Sequence, residues 1–182
     1  MDVWAAAEKI PLPQFGSRFN NFEVAFRLEC LPEYRVTGEA DAIKRFRENP
    51  ANRPPDFNDD WISTLKAAQR RAAVVRRVRV LPEVPNEYLR FEFEWGYRTN
   101  AAFGEDIRYL EQKELIRSTL PCAIDYWLFD ARDAFLMVYD SIGQFLGVVK
   151  ADLAATNLLS KAASDLYAKS RGNIGTYFSN AE

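Results

Sequence analysis

The sequence predicts an α+β fold: N-terminal helices, a small, mostly antiparallel sheet with a three-stranded meander, and a closing C-terminal helix. Three observations predict it. Apolar residues recur at spacings of three and four through much of the first half. After Ala123 come three short β-rich runs, "IDYWLFD", "AFLMVYD" and "QFLGVVKA", separated by the turn-forming "ARD" and "SIG". Then Asp152, a good helix cap, precedes "LAATNLLSKAASDLYAKS", whose Leu153, Leu158, Leu159, Leu166 and Tyr167 form an apolar stripe.

Residues 1–16 read as an N-terminal arm, with Pro11 and Pro13 blocking regular structure near its end. Residues 17–171 read as a single α+β domain, and 172–182 as a loose tail. In "RFNNFEVAFRLECL" (18–31), Phe19, Phe22 and Phe26 follow one helical spacing and Val24, Leu28 and Leu31 another, so a helix is expected up to Pro32. "TGEADAIKRFREN" predicts a short charged helix with Ala40, Ile43 and Phe46 inward. The three prolines of "PANRPPDFNDD" (50–60) mark a loop inside the domain. Asp60 can cap a helix over 61–73. "VVRRVRVL" (74–81) alternates, with Val74, Val78 and Val80 on one parity and Arg77 and Arg79 on the other, which predicts a strand.

The stretch "EYLRFEFEW" (87–95) carries two patterns at once. Leu89, Phe91, Phe93 and Trp95 alternate with charges as in a strand that would pair with 74–81. Glu87, Arg90, Glu94 and Arg98 instead stand at helical spacings with alternating sign. Gly104 follows where a helix-ending glycine belongs, so the helix is favoured. Glu92 then falls on an aromatic side between Tyr88 and Trp95. A carboxylate there needs a partner, and an arginine from "RRVRV" is the natural one.

Composition narrows the chemistry. The 182 residues, 48% hydrophobic with net charge −2, are enough for a real core and give no global attraction to nucleic acid. No apolar run is long enough to span a bilayer, and the first residues lack the pattern of a signal peptide. Cys30 and Cys122 are far apart with no CxxC, as in a cytoplasmic protein with reduced thiols. There is no histidine, which removes Ser-His-Asp and Cys-His catalysis and histidine-ligated zinc. No cofactor and no metal is expected. "DFNDD" (56–60) opens like a calcium loop but has Trp61 and Ala67 where glycine and glutamate belong. "STLK" (63–66) is an isolated SxxK, and no P-loop or GxGxxG occurs. Glu105, Asp106 and Arg108 in "GEDIRYL" fit a turn and the start of a strand, and Asp125, Asp130 and Asp140 fit strand-edge capping.

The sharpest charge feature is Arg70, Arg71, Arg76, Arg77 and Arg79. Guanidiniums in such number suit phosphates or an acidic partner protein. They equally suit a solvated helix end followed by strand arginines paired to acids. The blocks "AFRLECLPEYRV", "RRVRVLPEVPNEYLRFEFEW", "GEDIRYL", "DYWLFD" and "GQFLGV" resemble an uncharacterised actinobacterial family over roughly Asn20 to Asp152. Its members are often encoded beside small helix-turn-helix regulators and short partner proteins. The chain departs from that pattern in its N-terminal arm, its longer Pro-rich loop and its C-terminal tail. The resemblance implies a cytoplasmic, regulatory or toxin–antitoxin-like setting and supplies no active-site residue. Two functions follow as expectations. One is a non-enzymatic module binding such a regulator or short partner protein, with nucleic acid contacts possible through the arginine cluster. The other is a histidine-free ribonuclease toxin using Arg77, Arg79, Tyr88, Arg90 and Glu92.

Overall fold

The computed structural model describes residues 8–36, 38–117, 120 and 124–172. In chain order they form β1 (Glu8–Ile10), α1 (Leu12–Ser17), a 3-10 turn (Arg18–Asn20), β2 (Val24–Glu29), α2 (Glu39–Glu48), α3 (Asp59–Arg70) and β3 (Val74–Leu81). There follow α4 (Glu87–Phe91), a π-helical turn (Glu92–Tyr97), α5 (Arg98–Ala102), β4 (Glu105–Glu111), α6 (Gln112–Ile116), β5 (Tyr126–Phe129), β6 (Asp133–Tyr139), β7 (Phe145–Lys150) and α7 (Leu153–Lys169). The strands make one mixed sheet in the order β1-β7-β6-β5-β2-β3-β4. β2, β3 and β4 run parallel, while β2–β5, β5–β6, β6–β7 and β1–β7 pair antiparallel.

This corrects the expected small, mostly antiparallel sheet. The meander β5–β7 is only one part of a seven-stranded mixed sheet. The parallel part rests on two crossovers, one through α2 and α3 and one through the helical segment 87–102. The predicted helix over 18–31 is instead the 3-10 turn followed by β2. The reason is burial. From Ala25 to Glu29 every residue of β2 is buried, because helices cover both faces of the strand, so no in–out alternation marks it. Phe19 of the turn and Phe22 just after it pack edge-on against Phe129. Of the arm read at 1–16, residues 8–16 form β1 and most of α1. Residues 1–7, Cys122 and the tail from 173 to 182 lie outside the described residues.

Strand parity divides the molecule into layers. Phe26, Leu28, Val78, Val80, Leu110, Tyr126, Leu128, Ala134 and Leu136 face α7, which meets them with Ala155, Leu159, Ala162, Ala163 and Leu166. Leu153, expected in that stripe, is 75% exposed. On the opposite face Ala25, Val75, Trp127, Phe129 and Phe135 pack under α1 and α3, through Phe15, Ile62, Leu65 and Ala68. Further along that face, Leu81 and Ile107 lie under Leu89, Phe93 and Tyr97.

The helix over 87–102 is buried along two sides. Leu89, Phe93 and Tyr97 face the sheet, while Tyr88, Phe91 and Trp95 meet Phe46 of α2. Two helical stripes two residues out of step give the strand-like alternation of the sequence. Asn86 caps the start, its side chain accepting from the Leu89 N–H. Gly104 follows α5 with φ +91°, where a Cβ would meet the Gln69 side-chain amide. The start of α3 differs from the expected Asp60 cap, since Asn58 precedes it at φ 69° and Asp59 and Asp60 occupy its first turn.

Helix α3 ends in a Schellman motif that has alanine where glycine is usual. The Ala73 N–H donates to Ala68 O and the Ala72 N–H to Gln69 O, each at 3.0 Å. Ala72 therefore sits at φ 57°, a conformation that costs an L-residue roughly 1–2 kcal/mol. Ala72→Gly is expected to raise the unfolding free energy by about 0.5–1 kcal/mol, the rest being offset by the greater freedom of glycine in the unfolded chain. Urea denaturation checks this, and an unchanged or lowered midpoint would contradict it.

Candidate functional site

The face of the sheet under the π-turn carries charge where a core would ordinarily be apolar. β2 supplies Arg27 and Glu29, β3 supplies Arg77 and Arg79, and β4 supplies Glu105, all of one parity and all buried. Asp125, just before β5, is buried beside them. Each ion finds a partner, as burial requires. Arg77 donates from Nε to Glu105 Oε1 at 2.7 Å and from Nη1 to Glu29 Oε1. Arg27 donates from Nη2 to Asp125 Oδ2 at 2.9 Å, with Nε 3.4 Å from Glu29 Oε1. Asp125 also accepts from the Cys30 N–H at 2.8 Å and the Tyr34 hydroxyl at 2.6 Å. Tyr97 OH donates to Glu29 Oε2 at 2.8 Å, and Trp61 Nε1 donates to Glu105 Oε2 at 2.9 Å.

Arg79 is fully buried. Its Nη1 donates to Leu31 O, its guanidinium lies 5.1 Å from the Tyr34 ring centre, and its Nη2 stands 3.2 Å from Glu92 Oε2. That last contact is ionic without hydrogen-bond geometry, so Arg79 Nη2 and Glu92 Oε2 both lack a hydrogen-bond partner among the described residues. Arg27 Nη1 is likewise buried and unpartnered there.

Beside this network lies a cavity of about 190 Å³. Arg27, Glu29 and Arg77 form part of its lining. Glu92, Gly96 and Tyr97 of the π-turn, Glu39 of α2, and Tyr34, Tyr88, Tyr139, Trp61 and Asn100 complete much of the rest. The π-turn matters to this geometry. Its i→i+5 pattern brings residues five apart toward one side, so Glu92 and Tyr97 both reach the cavity.

The carboxylates fall into two kinds. Burial alone would push Glu29 up, but Arg77, Arg27 and Arg79 outweigh it and hold Glu29 down at about 2. Glu92 goes the other way. Burial raises it to about 7, since Arg79 offsets only part of the penalty while Glu29 and Glu39 add repulsion. Burial also raises Glu39 to about 7, against the opposing hydrogen bond from Tyr88. Around the network and cavity, three guanidiniums (Arg27, Arg77, Arg79) face five carboxyl groups (Glu29, Glu39, Glu92, Glu105, Asp125). Glu39 pairs with no guanidinium among the described residues, and Glu92 meets Arg79 without hydrogen-bond geometry.

The sequence-derived candidates separate in space. Arg77, Arg79, Tyr88 and Glu92 converge here, whereas Arg90 is exposed on the helix and lines no part of the cavity. The run of five arginines is dispersed. Arg70 is exposed at the end of α3, and Arg71 donates to Phe19 O over the Phe22 ring. Arg76 points to the α7 face against Tyr167, and only Arg77 and Arg79 reach the network. Sequence reasoning missed Arg27, Glu29, Glu39, Asp125, Tyr34 and Tyr97. The one signal for Arg27 and Glu29 was a pair of opposite charges two apart in an otherwise apolar run. Asp140, by contrast, does serve a turn, accepting from the Ile142 and Gln144 N–H groups. Among the described residues no group of acids or cysteines is arranged to hold a metal ion.

The raised and lowered carboxyl groups set a pH dependence. Glu92 and Glu39 bind their protons more tightly folded than unfolded. Their stabilising contribution is therefore full below about 4.5 and is lost as pH rises through about 7. Glu29 has the opposite sign, and its contribution is lost as pH falls from about 4.5 through about 2. Between pH 5 and pH 8 the protein is expected to lose stability, and Glu92→Gln should recover roughly 1–3 kcal/mol of that loss at pH 8. Denaturation midpoints across this range decide it. Parallel profiles for the variant and the native chain would show that Glu92 ionises without penalty.

No helix among the described residues is long and apolar enough to cross a membrane. No curated protein matches the chain. The family described as a domain of unknown function, DUF6879, matches residues 13–172, taking in the sheet from β2 to β7, the charged network and the cavity. The chain therefore belongs to the DUF6879 family.

Proposed function

We propose that this domain is a non-catalytic binding module whose cavity takes a cationic group, the guanidinium or ammonium of a basic side chain on a partner protein. The observation that carries the reading is the charge imbalance of five carboxyl groups against three guanidiniums beside an open cavity, with Glu39 and Glu92 in its lining raised to about 7. A bound cation would relieve that surplus directly. At about 4 Å a unit charge pair in such surroundings is worth on the order of 4 kcal/mol before desolvation. The rings of Tyr34, Tyr88, Tyr97, Tyr139 and Trp61 around the cavity suit a cation as well. A volume of about 190 Å³ fits one side chain and is below the usual range for nucleotide-sized ligands. A helix-turn-helix regulator in a cytoplasmic setting is a partner of fitting chemistry, since its DNA-facing surface is basic.

The ribonuclease alternative finds less support. Arg77 and Arg79 are already engaged by carboxylates, a backbone carbonyl and a tyrosine ring. Arg90 stands outside, and the surplus negative charge repels a phosphate.

N-acetyl-argininamide is the direct probe, with N-acetyl-glutamine amide as the uncharged control. Titration calorimetry near pH 7 is expected to give binding on the order of 1 mM, with net proton release as the cation lowers Glu39 and Glu92. The Glu39→Gln, Glu92→Gln double variant should lose both the binding and the protons. Equal affinity for the two probes, or binding unchanged in the double variant, would overturn the proposal.

A further inference from the structure

A second cleft lies on the other side of the sheet, under α7 at the start of β2. Its volume is about 520 Å³, within the range of small-molecule sites. Phe26, Leu128 and Ala163 supply apolar lining, and Arg76 and Arg132 supply charge. The chemistry here is the reverse of the first cavity. Neither Arg76 nor Arg132 forms an ion pair with a described residue, and Arg76 Nε is buried without a hydrogen-bond partner among them. The Arg76 guanidinium lies 4.6 Å from the Tyr167 ring centre, and Asp106, its cross-strand neighbour on β4, bonds the Tyr167 hydroxyl and Arg108 instead of Arg76.

Three other charged groups line the cleft, so its lining carries three guanidiniums and two carboxylates, and neither carboxylate pairs with Arg76 or Arg132. Arg18 is committed to Asp133 at 2.9 Å. Asp130 turns one oxygen to the Glu23 and Val24 N–H groups at 2.8 and 2.9 Å, and Glu23 is exposed. The rim is the tight turn of the β5–β6 hairpin, with Asp130 at φ 52° and Ala131 at φ 56° and the Arg132 N–H donating to Phe129 O at 2.9 Å. Arg132 follows on the same turn, exposed and lining the cleft.

We propose that this cleft binds a small organic anion with an apolar body, its anionic head between Arg76 and Arg132 and its body against Phe26 and Leu128. The reading is independent of the cation cavity, because it uses other residues on the other face of the sheet.

The test uses the whole chain and three fluorescent probes: 1-naphthyl phosphate, 1-naphthoate and 1-naphthol. At least one of the two anions is expected to bind tenfold or more tightly than 1-naphthol. Arg132→Gln, on an exposed turn, should weaken that anion about fivefold to tenfold and leave 1-naphthol unchanged. Arg76→Gln should do the same, and if it disturbs the strand then the Arg132 variant alone carries the decision. The Glu39→Gln, Glu92→Gln double variant should bind the anion as the native chain does, which separates this site from the first. Equal binding of the three probes, or anion binding unaffected by Arg132→Gln, would overturn the proposal.

Discussion

Arg77 is placed where a wrong partner would be most damaging. It lies on β3, the middle of three parallel strands, and bonds Glu29 of β2 on one side and Glu105 of β4 on the other. Taking one guanidinium and two carboxylates out of water is penalised by several kcal/mol per ion. The parallel sheet therefore forms with these three groups in register or not at all. Much of the surrounding structure serves that constraint. Trp61 of α3 satisfies the second oxygen of Glu105, and Tyr97 of the π-turn satisfies the second oxygen of Glu29. Removing one partner from such a set typically costs about 3–5 kcal/mol, because the charge left behind stays buried.

The π-turn follows from the same demand. A regular helix over 87–102 would carry its sheet-facing stripe through Leu89, Phe93 and then residue 96 or 97. Residue 96 is glycine, which has nothing to donate, and the hydroxyl that Glu29 needs is on Tyr97. In the widened turn Tyr97 bonds Glu29 while Glu92 stays over Arg79. The hydrogen bond from Tyr97 to a buried carboxylate, worth roughly 1.5–3 kcal/mol, helps to offset the poorer packing of a π-helix. The same widening leaves Gly96 lining the cavity, where a larger side chain would fill the space.

Legibility in the sequence tracked what water can and cannot reach. α7 was plain, because Asp152 caps it and only one side is buried. The runs that became β5 to β7 were plain too, since turn residues punctuate them. The strand over 74–81 was legible as an alternation, but its meaning was not. Alternating arginines suggest a wet face, and Arg77 and Arg79 lie instead on a dry, charged one. β2 was hidden for the same reason, being buried on both faces with Arg27 and Glu29 among its apolar residues. For "EYLRFEFEW" the ion-pair spacing gave the helix correctly, yet only Glu94 with Arg98 forms the expected pair, while Glu87 turns to Arg47 of α2. The need of Glu92 for an arginine of "RRVRV" could be argued from its aromatic surroundings. Which arginine answered could not, because that depends on the register of β3 against β4.

A net charge of −2 describes neither side of this molecule. Strand parity sends Arg77 and Arg79 to one face of the sheet and Arg76 to the other. On the first face the arginines are outnumbered by carboxyl groups that arrive from β2, β4, α2 and the π-turn. On the second, Arg76 lies against the Tyr167 ring, and Asp106 across from it on β4 is taken up by Tyr167 and Arg108. The two cavities thus have opposite preferences although one strand feeds both. Their selectivity is set by what lies across from β3, and a single-residue slip of that strand would exchange the arginines between the faces. The buried bond of Arg77 to Glu29 and Glu105 opposes such a slip, so the interaction that secures the sheet also keeps the two sites distinct.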